Sequence, residues 1–397
     1  MTQVLQGVRI IDAGTVLASP GLCALLADFG AEVIKIEQPG DGDPLRRYPP
    51  HANGQSLVSK VTNRNKYSAT LNLRDQRGRE IFRKLVKTSD AVVMNYRLPT
   101  LKKWELDFDD LVKVKSDVIM LHLSGYGRTG PYSDRPGFAR VAEAYVGLTY
   151  MTGYPDRSPV PAGYAVADAL GAVYGAYSLM LALYHKRLTG QGQLVDLALY
   201  ESMMRVLDGL YIGYDQDGLI PQREGTLNPN IAPHDIYETA DGKYISLPIS
   251  TQNMFIRLCH VIGSPELAAD PRFSANVQRV QHRKELDAII VPFISALSAE
   301  QFLTLANTAG IAASKINDVQ DFMGDEHVKG RGSITTMWDA NLDRAIRMQG
   351  VVPVLSKTPG DIKWPGHEPG QDNDYVYRSV LGIGENELAG LVQDGVV

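Results

Sequence analysis

The sequence predicts an α/β protein with a parallel sheet and a second, smaller α+β domain. The first observation is a strand–helix–strand succession near the amino end: an apolar segment at Gly7–Asp12, a helical pattern at Gly21–Phe29 and an apolar segment at Ala31–Glu37. Gly30 ends the helix as a glycine beyond a helical C-terminus does. Such a βαβ unit pairs its strands in parallel with a right-handed crossover. The length of 397 residues favours two domains.

The second observation is that strands and helices continue to alternate. A helical pattern at Arg77–Lys87 lies among three further strand patterns, at Ser68–Leu73, Ala91–Asn95 and Val118–Ser124. The loop after the first strand, however, lacks the Gly-x-Gly-x-x-Gly pattern that cradles a pyrophosphate. A nicotinamide or flavin dinucleotide site is therefore not expected.

The third observation is a change of pattern in the second half of the chain. Residues Gly213–Pro233 are polar and read as a linker, and an Asp-Gly turn at Asp241 then predicts a hairpin of His234–Thr239 with Lys243–Leu247. Helical patterns fill residues 252–310, strand patterns follow at Ile334–Val354, and a pair of short helices is expected beyond Asn373.

The stretch from Ala162 to Leu197 organises the first half. A run of small and apolar residues, Ala169–Tyr184, predicts a helix that is apolar on all sides and therefore buried. A strand follows at Gln193–Leu197. Asp168 comes directly before the helix, where free backbone N–H groups and the helix dipole favour a carboxylate. From these residues alone Asp168 is either a capping residue or a held, ionised nucleophile.

Composition excludes several functional classes. The net charge of −5 gives no basic patch for nucleic acid. No uncharged apolar run reaches the roughly 18 residues of a membrane span, and no secretory leader is visible, so we expect a cytoplasmic protein. Cys23 and Cys259 are too far apart in sequence to indicate a metal site or disulfide framework, and the histidines show no ligand spacing. We expect no metal and no permanently bound cofactor.

Several polar segments are candidates for ligand contacts. Arg46 and Arg47, in a loop rich in proline and glycine, could meet phosphates or be ordinary solvated charges. Asn95 and Tyr96 follow a strand, at the sheet edge where open α/β folds bind ligands. Lys102 and Lys103 come shortly afterwards. The run Gly125–Tyr132 has three glycines in its first six residues, which lets backbone N–H groups approach a ligand closely.

Taken in order, several motifs resemble those of the class III coenzyme A transferases, the family that includes formyl-CoA transferase and carnitine CoA-transferase. The resemblance extends over essentially the whole chain and is specific as an ordered set. The motifs are Leu5–Asp12, Asp28–Glu37, Asn63–Lys66, Ser124–Gly127, Arg135–Phe138, Ala167–Asp168, Thr189–Gln193, Gly370–Asn373 and Asp394–Val397.

The resemblance implies a fold and an assembly. It implies a large Rossmann-like domain from both ends of the chain and a small domain between two linkers, in two chains that interlock as a homodimer. The expected division is 1–212 for the first part of the large domain, 213–233 for a linker, 234–325 for the small domain, and 326–397 for the second linker and the return to the large domain.

The resemblance also implies the chemistry. Asp168 aligns with the catalytic aspartate, whose carboxylate attacks an acyl-CoA thioester and leads to an aspartyl-CoA thioester that the acceptor acid then opens. Coenzyme A is then a substrate. Its expected contacts are Val16, Ala18, Arg46, Asn95, Tyr96, Lys102 or Lys103, Gly125 and Tyr126. Leu17 stands where formyl-CoA transferase has a glutamine, so the acceptor acid of that enzyme does not carry over. Carnitine-like acids, dicarboxylates, hydroxy acids and aryl acids are all open as substrates, the first two being the candidates.

Two other functions remain as alternatives. The first is an α-methylacyl-CoA racemase, which pairs the aspartate with a histidine as acid and base. Phe138 stands at that position here and cannot move a proton. The second is a CoA-binding protein without catalysis, in which the carboxyl of Asp168 would have no chemical role.

Overall fold

The computed structural model describes residues 3–397. The chain divides into two compact units. The first combines the residues up to Leu148 with Pro161–Leu219 and Lys329–Val397. The second combines Thr149–Val160 with Ile220–Val328.

A six-stranded sheet forms the centre of the first unit. Its strands are β1 (Arg9–Asp12), β2 (Glu32–Glu37), β3 (Lys66–Thr70), β4 (Ala91–Met94), β5 (Ile119–Ser124) and β6 (Leu194–Ala198). They lie in the order β3-β2-β1-β4-β5-β6, and every neighbouring pair is parallel. This is the strand order of a Rossmann fold. The predicted α/β fold with a parallel sheet is confirmed.

Alternation along the strands divides the core between the two faces of the sheet. In β1, for example, Ile10 belongs to one apolar cluster and Ile11 to the other. The helices are α1 (Ala18–Ala27), α2 (Leu57–Thr62), α3 (Gln76–Thr88), α4 (Leu98–Trp104), α5 (Phe108–Val114), α6 (Ala139–Tyr145), α7 (Leu148–Met151), α8 (Val166–Thr189), α9 (Leu199–Met204) and α10 (Asp208–Asp217). The cluster with Ile10 takes apolar residues from α1, α6, α8 and α9, and the cluster with Ile11 takes them from α3, α4 and α5.

The second unit contains a three-stranded antiparallel sheet: β7 (His234–Glu238), β8 (Tyr244–Pro248) in the middle, and β9 (Ser314–Lys315). The predicted hairpin is confirmed. The helices that follow β8 are α11 (Gln252–Ile262), α12 (Asn276–Gln281), α13 (Arg283–Ser295), α14 (Ala299–Thr308), α15 (Val319–Gly324) and α16 (Glu326–Arg331). Short 3-10 turns lie at Pro44–Arg47 and Pro265–Ala268.

The C-terminal part returns to the first unit. An antiparallel pair, β10 (Ile334–Asp339) and β11 (Arg344–Gln349), is followed by a π-helix at Asp374–Val380 and by α17 (Glu385–Gln393). Another small hairpin pairs His51–Ala52 with Gln55–Ser56. The predicted helix pair beyond Asn373 is therefore present. It packs on the face of the sheet that Ile11 shares, and Asn72 donates its N–H to the carbonyl of Val396 at 2.8 Å.

Two predicted boundaries differ from the structure. The predicted linker does not begin at residue 213, because α10 runs into it until Gly218 ends that helix in a left-handed conformation. Residues 149–160, assigned by the sequence to the large domain, lie in the second unit. Local patterning could not reveal the second difference, because the place of this segment depends on contacts with residues far away in sequence, such as the hydrogen bond from the Gly225 N–H to the Gly153 carbonyl at 2.9 Å.

The predicted burial of α8 is only half right. One side, with Gly171 and Gly175, packs closely: an added Cβ would lie 2.7 Å from the Leu199 side chain at the first and 2.6 Å from that of Leu22 at the second. The opposite side is exposed and still apolar, with Val173, Tyr177, Leu181, Tyr184 and Leu188. Among residues 3–397, α8 is also the one continuous helix whose length and composition would suit a membrane span.

Candidate active site

Asp168 lies in the first turn of α8, as its third residue. The residue at the N-cap position is Ala165, which has no side chain to cap the helix. The Asp168 carboxylate makes no hydrogen bond or ion pair with any residue in the described part of the chain. The capping interpretation is therefore wrong, because α8 begins three residues earlier than the apolar run suggested.

The surroundings of Asp168 oppose its ionisation. Burial, and then the negative charge of Glu143, raise the pKa of Asp168 from 3.8 to about 6. The helix N-terminus favours the charged form, but here the desolvation is the larger effect. The carboxylate is thus ionised at neutral pH but more basic than an ordinary aspartate.

Asp168 opens into a small pocket of about 270 Å³ within the first unit. Its wall is mostly apolar: α1 contributes Ala24 and Leu25, and the loop before α1 contributes Leu17. A carboxylate in such a wall keeps little of its hydration shell, which leaves it exposed to an incoming electrophile. The remaining lining residues are Gly21, Val61, Thr62, Arg64, Tyr164, Ala165, Ala169, Ala172, Gln349, Gly350 and Val352.

Arg64 is the cation in this pocket wall. Its Nε donates to Asp28 Oδ1 at 3.0 Å, its Nη2 donates to Asp28 Oδ2, and its Nη1 donates to the carbonyl of Gln349 at 2.6 Å. A guanidinium has five N–H groups, so two are left over. Sequence analysis gave Arg64 only as part of a motif; its place beside Asp168 depends on contacts between segments far apart in the chain.

A second cavity, of about 340 Å³, lies at the carboxyl ends of the central strands. Thr15 follows β1, Gln38 follows β2, Leu71 follows β3 and Tyr96 follows β4, and all four line it. The Tyr96 ring packs edge-on against Trp104, with ring centroids 5.0 Å apart. This edge of the sheet is where open α/β folds bind their ligands.

The loop before α1 connects the two cavities. Thr15 lines the cavity at the strand ends and Leu17 lines the Asp168 pocket, so Val16 lies between them. Val16 has a φ of 68°, a strained conformation for a β-branched residue. Its N–H donates to both carboxylate oxygens of Asp43, at 3.0 and 3.2 Å. Asn95 fixes the same loop by accepting the Thr15 N–H at 2.9 Å and donating to the Thr15 carbonyl at 2.8 Å.

Buried charges hold Asp43 in place. Lys35, almost fully buried, lies 3.0 Å from Asp43 and 3.9 Å from Asp12. Burial alone would lower the pKa of Lys35, but the carboxylates of Asp12, Asp43 and Glu37 raise it, so the ammonium stays charged. The strained loop thus rests on a buried ionic cluster, which is the kind of support that a strained functional segment requires.

Arg46 is held by contacts within the first unit. Its guanidinium pairs with the buried Glu37 at 2.6 and 2.7 Å and donates to the carbonyl of His367 at 2.9 Å. Although burial opposes ionisation, Arg46 and Lys35 lower the pKa of Glu37 to about 2. Three of the five N–H groups of Arg46 are thus used inside the protein, and Arg46 is not among the residues that line the cavity at the strand ends. Its predicted contact with a phosphate stays a prediction. A burial pattern of this kind cannot be read from a loop sequence.

Other cations border the cavity at the strand ends. Arg47 and Arg74 are exposed and line it. Sequence analysis gave Arg47 as a candidate phosphate contact but did not select Arg74. Lys102 and Lys103 are exposed in the last turn of α4, next to Trp104. Neither lysine has an ion-pair partner among residues 3–397. Their predicted contact with phosphates stays a prediction.

Three more of the predicted contacts are not among the residues that line either cavity. Ala18 begins α1 and is buried, 3.7 Å from where a Cβ on Gly171 would be. Gly125 packs against the backbone of Gly137 so closely that an added Cβ would be 2.7 Å from the Gly137 Cα. Tyr126 belongs to a cluster of tyrosine rings, 5.3 Å from the ring of Tyr145. Their predicted contact with coenzyme A stays a prediction.

Comparison with known proteins gives the family. The chain matches CoA-transferase family III over residues 5–373. It belongs to that family. It is 39% identical to the succinyl-CoA–D-citramalate CoA-transferase of Chloroflexus aurantiacus over 99% of this chain and 98% of the relative. It is 38% identical to the β subunit of the succinyl-CoA–L-malate CoA-transferase of the same organism, over 100% and 98%.

Solved structures agree with this assignment. The structure of a CAIB/BAIF family protein from Brucella suis superposes with a TM-score of 0.84 at 29% identity, over 96% of this chain and 100% of that one. The resemblance to class III CoA transferases is therefore confirmed, and the protein is a family III CoA-transferase.

Proposed function

We propose that this family III CoA-transferase moves CoA from an acyl-CoA donor to a free carboxylic acid through a covalent intermediate on Asp168. The observation that carries the proposal is the state of that carboxylate. It is half-buried in an apolar pocket, has no partner among the described residues, and has a pKa raised to about 6. A carboxylate without a structural role at such a position carries a desolvation penalty. A role as the nucleophile explains why a carboxylate is kept at this position despite that penalty.

Four balanced steps describe the reaction. A carboxylate oxygen of Asp168 attacks the thioester carbon; a C–O bond forms, the C–S bond breaks, and CoA leaves as a thiolate. The thiolate attacks the aspartyl carbonyl of the resulting anhydride, which releases the donor acid and leaves an aspartyl-CoA thioester. The acceptor carboxylate attacks that thioester, forming a second anhydride and the thiolate. The thiolate then attacks the acceptor's acyl carbon, which regenerates Asp168. No net proton is transferred.

Dicarboxylates are the substrate class that the pocket favours. Arg64, with two N–H groups left over, can offer charge-assisted hydrogen bonds to the distal carboxylate of a short diacid. The same cation disfavours the quaternary ammonium of a carnitine-like acid. The relatives named above act, by their names, on succinyl-CoA with D-citramalate or L-malate. We therefore expect succinyl-CoA as donor and a C4 or C5 diacid as acceptor.

Coenzyme A fits the cavity at the strand ends. The edges of Tyr96 and Trp104 offer an aromatic surface for the adenine. Arg47, Lys102 and Lys103 supply cations for the phosphates. The pantetheine arm would then pass Val16 toward Asp168. Coenzyme A acts here as a substrate that comes and goes with each turnover, and no resident cofactor is part of the proposal.

A second copy of the chain is the proposed occupant of the exposed apolar side of α8. Tyr177 has 59% and Leu188 67% of its surface exposed, a large apolar area for a lone chain. Light scattering should give the mass of a dimer. Tyr177→Glu together with Leu181→Glu should lower the mass, whereas Val291→Glu, on the exposed surface of α13, should not. A monomeric wild-type protein would refute the homodimer.

The two alternative functions have less support. A racemase needs a second acid–base group opposite the aspartate, but no histidine is among the residues that line the Asp168 pocket. His122 is buried and within hydrogen-bond distance of the Tyr96 carbonyl, at 2.7 Å. In a binding protein without catalysis, nothing would explain why a half-buried carboxylate without a partner among the described residues is kept at position 168.

The test is a transfer assay by liquid chromatography with succinyl-CoA and a panel of acids: D-citramalate, L-malate, glutarate, carnitine and acetate. The wild-type protein should form the CoA thioester of at least one diacid. Asp168→Ala should abolish transfer while retaining CoA binding by calorimetry. Transfer by the Asp168→Ala variant would overturn the mechanism, and deuterium exchange at the acyl α-carbon without transfer would favour the racemase.

A further inference from the structure

A second buried acid stands behind Asp168. Glu143 lies on α6, and its side chain is entirely buried. It has no ion-pair partner among the described residues. Its Oε1 accepts the N–H of Ala167 at 3.2 Å, and its Oε2 has no hydrogen-bond partner within residues 3–397. A buried carboxylate with a single hydrogen bond is costly, and a leucine or methionine would fill the same space without that cost.

The single hydrogen bond of Glu143 is made to the start of α8. Ala167 precedes Asp168, and its N–H is one of those that a helix N-terminus leaves without an intrahelical partner. Ala165 at the N-cap position cannot accept it. Glu143 therefore replaces the missing cap from another helix and fixes the turn that carries Asp168.

Resting on the function proposed above, we propose that Glu143 is a positioning residue for catalysis. It orients the first turn of α8 through Ala167, and its negative charge keeps the neighbouring Asp168 carboxylate basic and therefore strongly nucleophilic. Glu143 lies behind the pocket wall and does not itself touch the substrate.

The groups around Asp168 single out Glu143 as the charge that acts on it. Glu143 is the one charged side chain that, together with burial, raises the pKa of Asp168. Arg64, in the same pocket, pairs with Asp28 and is not among the groups that shift the pKa of Asp168. Other titratable groups lie in the pocket wall or on elements around α8. Tyr164 is in the pocket wall, and Cys23 of α1 is buried as a thiol. Asp196 of β6 accepts the backbone N–H of Arg128, His122 of β5 contacts the Tyr96 carbonyl, and Glu201 of α9 accepts the Tyr200 hydroxyl.

Glu143→Gln separates the two effects. Glutamine keeps an oxygen for the Ala167 N–H but removes the charge, so the pKa of Asp168 should fall by about one unit. Glu143→Leu removes both the charge and the acceptor. The matched control is Glu201→Gln, which removes an acid from α9, a neighbouring helix that also packs on α8.

The experiment follows the Asp168 carboxyl by ¹³C NMR in protein labelled at aspartate Cγ, with the resonance assigned by its loss in Asp168→Asn. Its midpoint should lie near pH 6 in the wild-type protein and in Glu201→Gln, and about one unit lower in Glu143→Gln and Glu143→Leu. An unchanged midpoint in both Glu143 variants would mean that residue 143 carries no charge that Asp168 senses, and would overturn the proposal.

Kinetics supply the second readout. The acid limb of kcat against pH should move down with the NMR midpoint, and the plateau should fall about threefold in Glu143→Gln, because a less basic carboxylate is a weaker nucleophile. The Glu143→Leu plateau should fall further, because the turn also loses its cap. Equal plateaus in both variants and the wild type would refute the positioning role. If wild-type protein transfers no CoA, the proposed function fails, but the NMR titration still tests the coupling.

Discussion

Replacing Asp168 with asparagine should stabilise the protein above pH 6 while removing its activity. Burial raises the pKa of Asp168 from 3.8 to about 6. A shift of about two units corresponds to about 3 kcal/mol of penalty on the ionised form. Because part of the carboxyl still meets solvent, screening reduces the expected gain to about 1–3 kcal/mol. Asparagine is similar in shape and carries no charge, so it avoids this penalty.

The stability difference between the wild-type protein and Asp168→Asn depends on pH, because it comes from ionisation of the Asp168 carboxyl. A carboxyl with a raised pKa in the folded state favours folding when protonated, and that contribution is lost as the pH rises from about 4 to about 6. The two proteins should therefore unfold alike at pH 3.5 or below and differ most at pH 7.5 or above. The difference, and not the absolute stability, is diagnostic.

Equilibrium unfolding in urea at pH 3.5, 5, 6.5 and 8 measures this difference. The matched control is Asp208→Asn, which changes an exposed acid in the first turn of α10 and should not stabilise the protein at any pH. If Asp168→Asn is less stable than wild type at pH 8, the carboxylate has a structural partner and the reasoning is refuted. An equal gain at every pH would show that the gain does not come from ionisation.

Three further changes probe the residues around the site. Arg64→Met should raise the KM for a diacid by about tenfold or more and the KM for a monoacid less, because it removes a charge-assisted contact with the second carboxylate. Steady-state kinetics with glutarate and acetate would show the difference. Equal effects on both acids would contradict that role. Arg46→Gln should lower the free energy of unfolding in urea by about 3 kcal/mol, because it leaves Glu37 buried without an ion-pair partner. The affinity of the folded protein for CoA should change little, since Arg46 does not line the cavity at the strand ends. A selective loss of CoA binding would instead show that Arg46 contacts a phosphate. Replacing Lys102 and Lys103 together by alanine should raise the Kd for CoA, measured by calorimetry, by about tenfold and should change kcat much less. An unchanged Kd would show that neither lysine contacts the phosphates.

Local patterning was enough to predict the sheet. The apolar segments around β1 and β2 and the helical spacing of α1 depend on residues close together in sequence, and the parallel pairing follows from the connection between them. The same holds for the β7–β8 hairpin, where the turn chemistry of Gly242 fixes the register. These elements needed no knowledge of distant contacts.

The chemistry of the site depended on contacts that a linear pattern does not contain. Arg46 sits in a loop that reads as solvated, yet it pairs with Glu37 in β2. Arg64 reaches the Asp168 pocket because Asp28 holds it there. In the sequence, Glu143 resembles an ordinary surface acid on a helix. No spacing of residues indicates that it is buried against the start of α8.

The sequence also did not reveal that one side of α8 is exposed. Its small residues and its large residues are both mostly apolar, so the sequence predicts an apolar surface on every side of the helix. The structure divides them: glycine and alanine pack closely on α1, whereas Val173, Tyr177 and Leu188 are exposed. Sequence patterning cannot tell a surface buried within the chain from one that a second chain would cover.

Mass spectrometry after brief exposure to succinyl-CoA tests the central claim most directly. The protein is quenched in acid, digested, and the peptide that contains Asp168 is examined for added mass. We expect a CoA thioester on that residue in the wild-type protein, removed by an acceptor diacid and absent in Asp168→Asn. An active wild-type enzyme whose Asp168 peptide never gains mass, or which gains it on another residue, would contradict the assignment of Asp168 as the nucleophile.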